Sequence, residues 1–289
     1  MIDLGSPCKV NLVLNILGKR PDGFHELESI LFPVPIHDRI TIDHAPSGIT
    51  LTCTDPKLAV DGTNLVHRAA SVFLAAAGIT TGVTMRLEKR IPMAAGLGGG
   101  SGNAATTLRG LNELFRHPLA APRLEELAAG LGSDVPFFLQ PAPALVTGRG
   151  ERVAPLAPFR SFSGLGLFLA HPGFGISTPW AYQQLARFPA SLNGRPGRCR
   201  EFVDGVESRG LRESGRLLFN SLEAPALEKF PILHLYQEFL RSKGGLGVLM
   251  SGSGSSTFAL FESASAARVA EQQFQARFGD CWTAVVELP

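Results

Sequence analysis

Cysteine is scarce in this sequence, with four residues in 289: Cys8, Cys53, Cys199 and Cys281. They stand far apart and show neither paired zinc spacing nor redox spacing, which argues against a disulfide scaffold and fits reduced thiols in a reducing compartment. A cytoplasmic location is the expectation. Long apolar runs are missing as well, and the opening Met1-Ile2-Asp3-Leu4-Gly5-Ser6-Pro7 lacks a basic segment followed by an apolar core, so neither membrane insertion nor secretion is expected. Nor is there an excess of one charge. The 27 basic and 25 acidic residues leave +2, too weak a field to draw nucleic acid or an anionic membrane. The expected ligand is a small molecule, and the protein itself a monomer or homodimer.

Glycine is plentiful, at 32 residues. It clusters in Ile91-Pro92-Met93-Ala94-Ala95-Gly96-Leu97-Gly98-Gly99-Gly100-Ser101-Gly102-Asn103. This segment follows an alternating strand, 83–89, and leads into Ala104, Leu108, Leu111 and Phe115, the apolar stripe of a helix. Strand, loop and helix in that order make a place for a phosphate, because unshielded backbone amides and the positive end of the helix converge on an anion. The spacing of Gly96, Gly98 and Gly99 is not the dinucleotide fingerprint, and no Lys-Ser or Lys-Thr follows as in a P-loop. Three glycines alone would be a flexible turn. The length, the flanking small residues and the helical continuation favour phosphate binding.

With 45% hydrophobic residues, the chain can bury a substantial core in one large or two moderate domains. Residues 8–17 alternate Val10, Leu12, Leu14 and Ile16 with Lys9, Asn11, Val13 and Asn15, the period of a half-buried strand. Lys9 and Asn11 share a face, which is ordinarily a solvated one; the alternative is a charged clamp lining a cleft. Pro21-Asp22-Gly23 is turn chemistry. Phe24-His25, just after it, can stack on and hydrogen-bond a planar ligand, or simply pack against the domain edge.

Strands are expected over 27–36, 39–42 and 49–53, then a helix capped by Asn64 and stopped by Gly78, and another from Pro122 to Gly132. Asp134 lies between that second helix and the apolar run Val135-Pro136-Phe137-Phe138-Leu139. It is either a cap or a catalytic carboxylate perturbed by burial. After a strand-like interval over 144–153, the Pro/Gly-rich stretch 155–164 marks a domain boundary near residue 160. Beyond it come a strand over 165–170, a helix capped by Ser177 or Thr178 and containing Trp180 and Tyr182, and a Pro/Gly/Arg-rich stretch at 188–200 expected to be the least ordered. Helices at 211–219 and 224–240 precede a hairpin of strands 246–250 and 258–261, a helix over 264–278 and a strand over 283–288. The small-residue loop 251–257 is by itself a hairpin turn; paired with the first glycine loop it could brace a nucleotide.

These motifs, in this order, resemble the GHMP kinase superfamily over nearly the whole chain. The resemblance rests on Lys9-Val10-Asn11-Leu12, Pro-Asp-Gly-Phe-His at 21–25, Pro-Met-Ala-Ala-Gly-Leu-Gly-Gly-Gly-Ser at 92–101, Gly-Ser-Asp-Val-Pro-Phe-Phe at 132–138 and Met-Ser-Gly-Ser-Gly-Ser-Ser at 250–256. It implies an α+β fold of two domains, a ribosomal-protein-S5-like one over 1–160 and a ferredoxin-like one over 161–289. It also implies an enzyme, an ATP- and Mg²⁺-dependent kinase of a small alcohol. The 21–25 segment resembles the branch whose substrate is 4-diphosphocytidyl-2-C-methyl-D-erythritol, in non-mevalonate isoprenoid synthesis; homoserine or mevalonate is the alternative substrate.

By the same resemblance, residues 92–102 cradle the ATP phosphates, Asp134 takes the proton of the attacking hydroxyl and Lys9 steadies the charge. Phe24 and Tyr182 clamp the cytosine with His25 beside it, while Asn11 and Thr178 line the substrate site. No side chain is assigned as a metal ligand. Gly102 stands where the family commonly has serine or aspartate, so this chain offers no side chain to a phosphate or metal at that position. Ser221 is given no role.

Overall fold

The computed structural model describes residues 1–140, 142–279 and 281–289, and the chain forms two compact units. The first comprises Met1–Cys8, Ile36–Ile91 and Gly98–Pro141; the second comprises Lys9–Pro35, Pro92–Leu97 and Ala142–Pro289. Both are therefore assembled from separated stretches of sequence, and the strands β1 (Ile2–Lys19) and β2 (His25–Ala45) each contribute residues to both.

In the first unit the far end of β2 pairs antiparallel with β4 (Gly82–Glu88), from Arg39↔Glu88 to Ala45↔Gly82, and β3 (Ile49–Cys53) lies parallel on the other side of β4. The crossover between β3 and β4 is α1 (Leu65–Ala77). As the sequence predicts, the Asn64 side chain accepts the Val66 N–H at 2.8 Å, and Gly78 ends the helix in the left-handed region at φ 65°. Its buried face is Val66, Ala69, Ala70, Phe73 and Leu74.

The glycine-rich helix α2 (Gly99–Leu114) packs on α1 and on α3 (Ala121–Leu131). It buries Ala104, Leu108 and Leu111 of the predicted stripe, with Phe115 as its half-buried C-cap, and Ala105, Thr106, Thr107 and Gly110 are also inside. Small side chains let it sink into the unit. A Cβ on Gly110 would come within 2.8 Å of Ile42 and 3.0 Å of Leu4.

Two strand expectations are corrected here. Residues 8–16 of β1 are buried without alternation, so the face carrying Lys9 and Asn11 is not a solvated one. The interval expected to separate two strands, His37-Asp38, lies inside the single strand β2, because Asp38 is buried and fully partnered rather than turned out to water.

The second unit contains a four-stranded antiparallel sheet in the order β11-β7-β10-β9. Its strands are β7 (Gly166–His171), β9 (Gly247–Met250), β10 (Thr257–Phe261) and β11 (Trp282–Glu287). The predicted strand across 144–153 is a hairpin instead, β5 (Ala144–Gly148) and β6 (Arg152–Pro155), turned through Gly148 and Gly150 at φ 74° and 106°.

Helices α4 (Thr178–Gln184), α5 (Pro189–Leu192) and α6 (Arg198–Ser214) follow, then the short strand β8 (Phe219–Asn220), parallel to β1. The stretch 188–200 thus carries α5 and the first turn of α6, whose end is capped from β2. The Glu28 carboxylate accepts the Gly197 and Cys199 N–H groups at 3.1 and 3.4 Å. The helix expected over 211–219 proves to be the end of α6, bent at Gly210 (φ 72°, ψ 177°).

The helix expected over 224–240 divides into α7 (Glu223–Lys229) and α8 (Pro231–Ser242), because Pro231 holds Phe230 out of helical geometry. Together with α9 (Ala264–Phe278), α8 covers the sheet through Phe168, Tyr236, Leu240, Phe261 and Phe274. Phe274 is fully buried, with ring centroids of Tyr236, Phe278, Phe168 and Phe239 between 4.6 and 5.8 Å away. Phe274→Ala is expected to lower the unfolding free energy by about 3–5 kcal/mol, measured by denaturant titration, whereas Val269→Ala on the exposed side of the same helix should shift it far less.

Candidate active site

Within the second unit, Lys9 and Asn11 lie two residues apart on one face of β1, as strand alternation dictates. The Lys9 ammonium donates to Asn11 Oδ1 at 2.5 Å and to the Gly96 carbonyl at 3.0 Å. Asn11 Nδ2 donates to Ser29 Oγ at 2.9 Å, and that hydroxyl donates onward to the Val13 carbonyl at 2.5 Å. The amide of Asn11 is thereby oriented with its oxygen towards the lysine. Both side chains are 4% exposed, so this face of the strand is not a solvated one.

The two small-residue loops meet in this same unit. Ser251 Oγ donates to the Gly96 carbonyl at 2.9 Å, the Ser256 N–H to the Ala95 carbonyl at 3.1 Å, and the Lys9 N–H to the Leu97 carbonyl at 2.9 Å. Gly96 is at φ 76°, and a Cβ there would collide with the Ser251 carbonyl. The loop 251–256 also closes a hairpin, Met250 pairing with Thr257, as its sequence alone suggests.

Residues outside the predicted set fix that loop. Asn220 Nδ2 donates to the carbonyls of Met250 and Gly252, both at 2.8 Å, and a Glu223 carboxylate oxygen accepts the Met250 N–H at 2.9 Å. Burial raises the Glu223 carboxyl above the usual range. Ser255 donates to the Phe174 carbonyl and stands 3.3 Å from His171 Nδ1. Ser221, given no role from sequence, accepts the Ile16 N–H at 3.0 Å and donates its own N–H to Leu14 at 2.8 Å, extending the pairing of β1. A polar residue beside a strand carries no sequence signal of that kind.

The aromatic residues are also in this unit. The Pro21-Asp22-Gly23 turn is closed by the Arg20 N–H to the Phe24 carbonyl at 2.7 Å, and it leaves the Phe24 ring half exposed. The Arg149 guanidinium lies over that ring at 4.9 Å. His25 meets Tyr182 at 4.9 Å between ring centroids, tilted by 38°. Burial, then the nearby Lys19 charge, lowers the His25 pKa, so its imidazole is neutral at pH 7. Ser177, rather than Thr178, caps α4, accepting from the Trp180 N–H. The Thr178 hydroxyl instead lies 2.9 Å from Ser253 Oγ.

The chain crosses to the first unit between Leu97 and Gly98. Gly98 caps α2 in the left-handed region at φ 69°, with no side-chain cap and no acidic residue in the first turn. The amides of Gly99, Gly100 and Ser101 therefore end the helix as unshielded donors, the arrangement that suits an anion. Gly102 has a packing reason: a Cβ there would be 2.5 Å from the Pro7 carbonyl and 3.2 Å from Ser6 Oγ.

The entry to the loop is held by Asp38. Its Oδ1 accepts the Arg90 and Ile91 N–H groups at 2.7 and 2.9 Å, while its Oδ2 is ion-paired to Lys89 and accepts from Asn103 Nδ2 at 2.9 Å. No local pattern in the sequence announces this buried network. Asp134 lies half-buried in the turn 133–135 after α3. The 3-10 turn Pro136–Leu139 follows at once, starting from Val135. Among the described residues, no three His, Cys, Asp or Glu side chains are grouped to hold a metal, and no helix is long and apolar enough to cross a membrane.

Comparison with known proteins accords with this geometry. Residues 64–141 match the GHMP kinases N terminal domain and residues 202–280 the GHMP kinases C terminal domain. The chain is 41% identical over 262 residues to a 4-diphosphocytidyl-2-C-methyl-D-erythritol kinase from a Synechococcus strain, covering 89% of this chain and 84% of that one. It is 37% identical over 285 residues to the protein of that name from Syntrophotalea carbinolica, covering 98% and 97%. A crystal structure of 4-(cytidine 5'-diphospho)-2C-methyl-D-erythritol kinase superposes with a TM-score of 0.81 at 36% identity over 100% of both chains. Homoserine kinase from Cytophaga hutchinsonii shares the fold, with a TM-score of 0.76 at 21% identity over 99% and 93% of the two chains.

Burial holds His171 below its ordinary pKa. The folded state therefore resists protonation that the unfolded chain accepts near pH 6.5, and stability falls as pH drops below that value. The thermal midpoint is expected to decline between pH 7 and pH 5.5. In His171→Gln, which keeps a partner for Ser255 without titrating, part of that decline should vanish; an unchanged pH profile would exclude His171 as its source.

Proposed function

Since the chain belongs to the GHMP kinase family, we propose that it transfers the terminal phosphoryl group of ATP to the 2-hydroxyl of 4-diphosphocytidyl-2-C-methyl-D-erythritol, a step of non-mevalonate isoprenoid synthesis in the cytoplasm. The observation that carries this reading is the near full-length identity to kinases of that name, alongside aromatic residues suited to a planar base. Homoserine and mevalonate have no such base. In this reading residues 1–160 form the N-terminal domain of the family and 161–289 the C-terminal one.

Residues 92–102 take the ATP phosphates through backbone amides, in accord with the uncapped first turn of α2. Asp134 accepts the proton of the 2-hydroxyl as that oxygen bonds to the γ-phosphorus and the bond from phosphorus to the β–γ bridging oxygen breaks, ADP leaving with the electron pair. Lys9, already desolvated and aligned by Asn11 and Gly96, stabilises the negative charge that builds up. Mg²⁺ supplies further neutralisation of the phosphates when bound.

The cytosine stacks between Phe24 and Tyr182. His25, neutral at pH 7, offers one ring nitrogen as donor and the other as acceptor to the base edge. Asn11 and Thr178 line the alcohol and diphosphate portion.

Asp134→Ala is expected to lower kcat about 10³-fold or more with ATP still bound and the fold intact, read by coupled ADP release and calorimetric titration of a nucleotide analogue. Near-normal turnover would remove Asp134 from its role. Phe24→Ala should raise KM for the cytidyl substrate much more than KM for ATP, and equal changes in the two would argue against stacking.

A further inference from the structure

Ser29 is a buried hydroxyl in β2, 1% exposed beside the apolar run Ile30-Leu31-Phe32. A small apolar side chain would pack there without needing any partner, whereas a hydroxyl withdrawn from water has to be hydrogen-bonded. Both of its partners belong to β1, and one of them is Asn11, the residue that meets the Lys9 ammonium.

The hydrogen-bond roles along this row are fixed from both ends. The Val13 carbonyl can only accept, and it lies 2.5 Å from Ser29 Oγ, so the single proton of the hydroxyl is committed there. Ser29 Oγ is left with lone pairs alone to offer Asn11, which therefore presents Nδ2 at 2.9 Å. That turns the amide oxygen to the Lys9 ammonium, a group that can only donate, at 2.5 Å. A reversed amide would set oxygen against oxygen at Ser29 and N–H against ammonium at Lys9. A carboxylate at position 11 would meet Ser29 with lone pairs on both sides, which explains why this neighbour of the lysine is an amide. The pair so oriented lies where the two small-residue loops meet. The Gly96 carbonyl accepts from Lys9 at 3.0 Å, and a Cβ on Gly252 would be 3.2 Å from Lys9 Nζ and 3.4 Å from Asn11 Oδ1.

We infer that Ser29 is a positioning residue for phosphoryl transfer, acting through Asn11 to hold the Lys9 ammonium in place; this rests on the role given to Lys9 above. An ammonium on a flexible four-carbon stem has no direction of its own. The row Val13, Ser29, Asn11 carries a fixed point of the main chain to that cation, and transfer depends on where the charge stands more than on its mere presence. Without the hydroxyl, the amide of Asn11 is free to turn, and the ammonium loses the acceptor that aims it.

The test joins turnover to a measurement that needs no substrate. In the full chain labelled with ¹⁵N at its lysine side chains, the buried ammonium gives a slowly exchanging proton signal, assigned to Lys9 by its absence from Lys9→Met. Ser29→Ala is expected to speed that exchange and to lower kcat about 10-fold, the effect of one lost hydrogen bond, with KM for ATP unchanged. Ser29→Thr, which keeps the hydroxyl, should restore both, and in an Asn11→Ala background Ser29→Ala should cause no further loss of kcat. Where Ser29→Ala lowers the thermal midpoint too far for assay, Ser29→Cys, nearly the same shape with a weak S–H donor, takes its place. Unchanged exchange or unchanged kcat in the variant, or an equal loss of kcat with Asn11 already removed, overturns the inference. If the wild-type protein does not phosphorylate the cytidyl substrate, the reading above is what fails. The Lys9 signal then decides by itself: faster exchange in Ser29→Ala supports the positioning role, and an unchanged rate overturns it.

Discussion

A single buried ammonium group orders the second unit. Lys9 is 4% exposed, and an ion withdrawn from water to that degree costs several kcal/mol unless its protons are taken up. Two of them go to Asn11 Oδ1 and to the Gly96 carbonyl. The second partner is the consequential one, because it makes the position of the glycine loop a condition for tolerating the charge. Gly96 in turn receives Ser251 Oγ, so a lysine on the first strand, the first loop and a hairpin loop more than 150 residues later are satisfied together or not at all.

The other end of the glycine segment is treated by the same chemistry within the first unit. Lys89 is ion-paired to Asp38, and the same aspartate accepts two consecutive backbone N–H groups at the loop entrance. A hydrophobic replacement of this pair could give equal or greater stability, but it could not hold the backbone of Arg90 and Ile91. The buried charges are thus explained by what they position. A glycine-rich segment presents its amides without side chains and has no packing of its own to hold it. Rigidity has to be imported from polar neighbours.

This division explains what is legible in the sequence. The helix ends at Asn64 and Gly78, the hairpin about residues 251–256 and the helix at 264–278 follow from local rules, and the structure has them where those rules put them. Lys9 and Asn11 stand out as candidates, but alternation assigns them to a solvated face. Burial on both sides of β1 depends on what packs there, and the strand itself does not encode it. Asp38 escapes notice because an acidic residue between apolar runs looks like an interruption. Its partners at 89–91 and 103 are distant in sequence, and nothing local points to them. Glu223 and Asn220 are hidden for the same reason, while the apolar period across 224–240 masks the break that Pro231 makes.

The second loop shows why such distant polar partners matter to a transfer reaction. Asn220, Glu223, Ser251 and Ser255 all direct their side chains at backbone groups of the loop or its neighbours. None of these contacts is an ion pair, so salt and small displacements of charge leave them intact. The ordering entropy of the loop is therefore met during folding, and a ligand arriving at it need not supply that cost again. For phosphoryl transfer, positioning outweighs covalent participation. A loop already fixed by hydrogen bonds that are not ion pairs meets that demand for positioning before a ligand arrives.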